Sequence, residues 1–171
     1  MLTIRAESPG DAAAIAAIHR RAFGQEDEPR LVDALRESDA FIPELSLLAE
    51  EDGAVVGHVL VSRVVVRTPR GDVPALSLAP LGVEPGRQRR GVGTALMREA
   101  LKRARASGYG LMVVLGHPPY YARFGFVPAK AYGLYCRWPV EDEVYRVLEL
   151  RAGALAGVEG EVLYPPPFDA L

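Results

Sequence analysis

The residues best suited to chemistry run together as Gln88-Arg89-Arg90-Gly91-Val92-Gly93-Thr94, with Gly86 and Arg87 just ahead. An amphipathic pattern follows at once, with Val92, Leu96, Ala100 and Ala104 on one side and Arg98, Lys102 and Arg105 on the other. This spacing predicts a long helix opening at Gly91. A glycine turn entering a helix is an anion site, because unpaired backbone N–H groups and the positive end of the helix dipole converge there. Two phosphate cradles are excluded by detail. Gly86 and Gly91 have the outer spacing of a nucleoside-triphosphate loop, but Val92 and Gly93 stand where Lys and Ser/Thr are required. The dinucleotide pattern G-x-G-x-x-G begins at Gly91 and Gly93 and fails at Leu96.

Further groups able to move protons are scattered. Tyr120 and Tyr121 lie in "PPYYARFGF", read as a short helix leading into a strand. A phenol with an ordinary pKa of about 10 is a proton donor at neutral pH. His117 stands at the mouth of that short helix, as a proton carrier or in a helix-capping, purely structural role. Glu28, Glu44 and Asp72 are the carboxylates considered as bases, with water as the alternative. His19 and His58 show no partner in the sequence and are assigned to packing or surface. Glu141, Asp142 and Glu143 form an acidic cluster that would attract a cationic amine, or simply a solvated loop. For the arginines of the loop, too, a solvated surface is the competing reading.

The elements that must position these groups follow from pattern. "LTIRA" is a short strand. Ser8, Pro9 and Asp11 form a helix-start signal, and Gly24 stops the helix. A second helix, "PRLVDALRES", places Leu31 and Leu35 on one face. Two strands then meet at Asp52-Gly53, a hairpin signal. The strand at about 75–83 carries Pro80, which removes a ladder N–H and marks a bulge or an edge. "GLMVVLG", at about 110–115, is a buried strand, and "VYRVLEL" is the last clear one. The proline-rich tail is expected to pack through Tyr164 and Phe168. The order implies a mixed α/β (α+β) fold in one domain, residues 1–171, with a core of about 2–150 and an extension of about 151–171.

Composition narrows the function. With 25% charged residues, 49% apolar residues and a net charge of −2, the chain is an ordinary globular protein with no basic excess for nucleic acid. Cys136 stands alone, which excludes an internal disulfide and a cysteine-based zinc site. No metal is expected. Nor does any stretch approach the roughly 18 uninterrupted apolar residues of a membrane span, so no membrane partner and a cytoplasmic location are the expectations. If the protein self-associates, a homodimer is the commonest outcome.

Gln88-x-x-Gly91-x-Gly93, followed by Tyr121-x-x-x-Gly125-Phe126, resembles the GNAT superfamily of N-acetyltransferases. Its signature is Q/R-x-x-G-x-G/A, then a Y-x-x-x-G-F corner. The resemblance covers the order of elements from residue 2 to about 150. It implies a mostly antiparallel central sheet, flanked by helices and splayed between the strands at about 75–83 and 110–115. Acetyl-CoA is the implied co-substrate. Gln88, Arg89, Arg90, Gly91, Val92, Gly93 and Thr94 would wrap its pyrophosphate. Backbone groups of Leu81, Gly82 and Val83 would hold the pantetheine arm, and Tyr121 would protonate the departing sulfur. The acetyl group would pass directly to an amine. Many relatives carry a glutamate on the strand before the loop, whereas "ALSLAPLGV" offers only Ser77. A non-catalytic acyl-CoA binding module is therefore the competing expectation.

Overall fold

Asp52 and Gly53 adopt φ of 53° and 78°, the two left-handed residues that turn a tight hairpin with the twist of its strands. The hairpin joins β2 (Phe41–Glu51) to β3 (Ala54–Thr68). Before it come β1 (Leu2–Ala6), α1 (Ala12–Phe23) and α2 (Asp27–Arg36), and after it β4 (Gly71–Val83), α3 (Val92–Ala106) and β5 (Leu111–Leu115). The chain continues through α4 (Pro118–Ala122), β6 (Val127–Pro128), β7 (Leu134–Tyr135), β8 (Tyr145–Glu149) and β9 (Gly160–Leu163). This computed structural model describes residues 1–171. The fold is mixed α/β with a mostly antiparallel sheet, as expected; the parallel pairs are β4 with β5 and β7 with β9.

Two compact units divide the chain. The first holds Met1–Ser62, Ala79–Arg103 and Pro166–Leu171. Here β1 pairs antiparallel with β2, and β2 with β3. The helix-start signal works as a step: Pro9–Asp11 form a 3-10 turn, Ser8 N–H donates to Asp11 at 2.6 Å, and α1 begins one residue later. Alternation along β3 sends Gly57 to one face and His58 to the other. On the Gly57 face lies α3, since a Cβ at Gly57 would stand 3.0 Å from both Val92 and Leu96. On the opposite face α1 brings His19 against His58. The first unit's sheet is thus covered by a helix on each side. Leu47, Leu48, Val59, Leu60, Leu96 and Met97 are fully buried within this unit.

The second unit holds Arg63–Leu78 and Ala104–Pro165. Its core gathers Val64, Val66, Ala75, Leu111, Val113, Tyr145, Val147 and Val162. Parallel pairing of β4 with β5 covers Leu76 to Leu78 against Met112 to Val114 and goes no further. Pro80, joined to Ala79 by a cis bond, follows directly, where its missing N–H cannot extend a ladder. β5 pairs antiparallel with β8, and β8 with β6.

Two expectations need correction. The strand placed at about 75–83 begins at Gly71. "VYRVLEL" is not the last strand, because the tail supplies β9, which pairs with β3 and β7. Tyr164 does pack as expected, edge-on to Trp138 and bonded to Tyr145 at 2.8 Å, and Phe168 is buried.

Candidate functional site

The glycine loop is set on the first unit by the strand that precedes it. Glu84 N–H donates to Val56 at 2.8 Å, and Gln88 Nε2 donates to the Val83 carbonyl at 3.2 Å, closing the chain back on β4. Glu84 is gripped by Arg21 and Glu51 by Arg87. Arg89 at φ 66° and Gly91 at φ 86° bend the backbone through two left-handed steps. The first intrahelical bond of α3 at this end runs from Ala95 N–H to the Gly91 carbonyl at 3.0 Å. The N–H groups of Val92 and Gly93 precede that bond and have no helical acceptor, which fits an anion. Arg89 and Arg90 are exposed, whereas Val92 is buried under the helix. Leu81, Gly82 and Val83 lie just before, at the end of β4.

The tyrosine corner belongs to the second unit, and its sequence pattern has a local cause. The Tyr121 carbonyl accepts from Phe124 N–H at 3.0 Å and from Phe126 N–H at 3.3 Å. Gly125 takes φ 95° to make the turn, a conformation that a side chain strains. Buried Arg146 then donates to the Phe126 carbonyl at 3.1 Å and to the Glu143 carbonyl at 2.8 Å, pinning the corner to β8. The Tyr121 ring lies over Gly116, where a Cβ would stand 2.5 Å from it. It meets Tyr120 edge-on at 5.1 Å and Phe126 at 5.8 Å. Burial, followed by the neighbouring Tyr120, pushes the Tyr121 phenol up, so it holds its proton at neutral pH.

The carboxylates weighed as bases are dispersed. Glu44 and Asp72 are exposed, Glu28 bonds Gln25, and His117 is an exposed residue at the start of α4. Ser77 is buried on β4 and bonds Tyr164. His19 and His58, assigned to packing or surface, do pack in the interior, but the expectation that they lack partners is wrong. Both are fully buried, and His19 Nε2 lies 2.8 Å from His58 Nδ1. His58 Nε2 lies 2.9 Å from Ser46 Oγ, and Ser46 bonds Glu7. Glu7 also binds Arg36. No short-range signal could have joined residues drawn from five separate segments.

The chain matches the family described as acetyltransferase (GNAT) domain over residues 3–129. It is 39% identical to the uncharacterised N-acetyltransferase YhbS of Escherichia coli K12, over 98% of this chain and 99% of the relative. A crystal structure of Escherichia coli YhbS in complex with CoA superposes with a TM-score of 0.90 at 37% identity, covering 98% of this chain and 92% of that one. A GNAT family acetyltransferase from Brucella melitensis, solved with acetyl-CoA, gives a TM-score of 0.81 at 33% identity, with 99% of both chains covered.

Proposed function

Because the chain belongs to the GNAT acetyltransferases, we propose that it moves the acetyl group of acetyl-CoA directly to a primary amine of a small molecule or protein. The observation that carries this reading is the pairing of two features in one chain: an exposed glycine loop whose Val92 and Gly93 N–H groups precede the first helical bond of α3, and a protonated Tyr121 held by a bonded corner. The CoA and acetyl-CoA bound by the two solved relatives support it.

Acetyl-CoA supplies an activated thioester and a thiol leaving group. The chain supplies position and protons. Backbone donors from Arg89 to Thr94 hold the pyrophosphate, helped by the dipole of α3. Backbone groups of Leu81, Gly82 and Val83 hold the pantetheine arm and polarise the thioester carbonyl, a role that demands geometry rather than special side chains. Tyr121 gives its proton to the departing sulfur. No cysteine neighbours either motif, so transfer is direct.

The test is a screen for thiol release from acetyl-CoA across a broad panel of amines, with acetyl-CoA binding measured in parallel by calorimetry. Amine-dependent release is expected. Binding without turnover on any amine would favour the non-catalytic module.

A further inference from the structure

Of the acidic run Glu141, Asp142 and Glu143, the last turns away to Arg146 at 3.6 Å. Glu141 and Asp142 line a cavity of about 260 Å³ together with Leu134, Cys136, Trp138 and Tyr145. Leu134 and Tyr145 are buried, whereas Glu141 and Asp142 are exposed. The cavity therefore has an apolar and aromatic floor under an acidic rim. All of these residues belong to the second unit.

Two contacts show what this cavity attracts. The Lys130 ammonium, also on the rim, donates to Asp142 at 2.8 Å, and the Arg137 guanidinium lies over the Trp138 ring, 4.6 Å from its centre. A carboxylate and an indole face both draw cations, and here each already holds one that the chain itself supplies. With Glu141 added, two carboxylates and one ammonium line the cavity, so a negative charge is left over. The Lys130–Asp142 pair joins exposed side chains, and such a pair is weak enough for an incoming ammonium to replace Lys130.

The cavity also stands beside the strand that Tyr121 covers. Tyr145 opposes Leu115 in the antiparallel pairing of β8 with β5, and residues so paired share a face. Leu115 ends β5 and is 46% exposed, an apolar step from the cavity to the strand end. Gly116, the next residue, bonds the Val144 carbonyl at 2.9 Å and has the Tyr121 ring against its other face. An ammonium held by carboxylates has no lone pair and cannot be the group that is acetylated. We propose that this cavity selects the acceptor and that the acceptor is a diamine: its ammonium end sits at Glu141 and Asp142, its methylene chain lies along Leu115, and its second, neutral amine reaches the strand end beside Tyr121. The inference rests on the acetyltransferase reading.

Trp138 is the only tryptophan in the chain, so its emission reports on the cavity whether or not acetyl transfer follows. In the full chain with CoA added, putrescine and cadaverine are expected to shift Trp138 emission saturably, at midpoints about fivefold below those of butylamine and pentylamine. Added salt should narrow that gap. Glu141→Gln should raise the diamine midpoints, whereas Lys130→Ala, which removes the competing ammonium, should lower them. A salt bridge that merely braces the loop would give no such gain. KM values for thiol release from acetyl-CoA should follow the same order. Equal midpoints for diamines and monoamines, no emission change with any of these amines, or weaker diamine binding in Lys130→Ala would overturn the proposal. Diamines that shift Trp138 emission but release no thiol would count against the transferase reading while upholding the cavity's choice of ligand.

Discussion

His19 Nε2 lies 2.8 Å from His58 Nδ1, joining α1 to β3 through two fully buried imidazoles. The pair makes stability depend on acid. Burial, then the neighbouring His58, lowers His19 from 6.5 to about 3, so the unfolded chain binds a proton there that the folded chain refuses. Its contribution is complete above about 6.5 and is lost as pH falls toward 3. Glu7, held at about 2 against 4.5, adds a second loss below about 4.5. Thermal unfolding followed across this range should show the midpoint falling as pH drops from 6.5 to 4.5, and a flatter fall over that window in His19→Gln. An equal slope in both proteins would contradict the burial of a neutral His19.

Gly82 and His19 should be energetically coupled. Gly82→Ala places a methyl 2.5 Å from His19 Nδ1, so overpacking should destabilise the fold by about 1–3 kcal/mol. His19→Ala removes the clashing ring, and the double variant should recover part of that loss. A double-mutant cycle on denaturant midpoints checks this, with a coupling of at least about 0.5 kcal/mol expected for residues in contact.

Replacing Arg89 and Arg90 together by alanine should weaken acetyl-CoA binding by less than about tenfold, because exposed charges contribute little compared with the backbone donors of α3. The residual affinity should depend less on salt. Calorimetry at two ionic strengths measures both.

Arg146→Met should loosen the tyrosine corner. It leaves the Phe126 and Glu143 carbonyls without the guanidinium that they bond at 3.1 and 2.8 Å. A lower unfolding midpoint is expected, together with slower thiol release and little change in acetyl-CoA affinity.

What could be read from sequence was local. Gln88-x-x-Gly91-x-Gly93 and Tyr121-x-x-x-Gly125-Phe126 are short because each encodes one turn: a left-handed bend into a helix start, and a corner closed by the Tyr121 carbonyl and a left-handed Gly125. Asp52-Gly53 was readable for the same reason. The buried chain was not, since Glu7, His19, Arg36, Ser46 and His58 meet only when α1, α2 and two strands pack. Gly82 was readable as backbone for the pantetheine arm but not as the glycine that His19 packs against. β9 escaped notice because four residues before a proline run carry too little periodicity to stand out. Gly116 and Arg146, which seat Tyr121, act through contacts that no motif records.

The most direct test of the account is thiol release by wild-type and Tyr121→Phe proteins across pH, with acetyl-CoA affinity measured on the same samples. Tyr121→Phe should bind acetyl-CoA as wild type does and release thiol on the order of 10²-fold more slowly, with the deficit greatest where the leaving thiolate most needs a proton donor. Equal rates at every pH would contradict the assignment of Tyr121 as the acid on which this acetyl transfer is built.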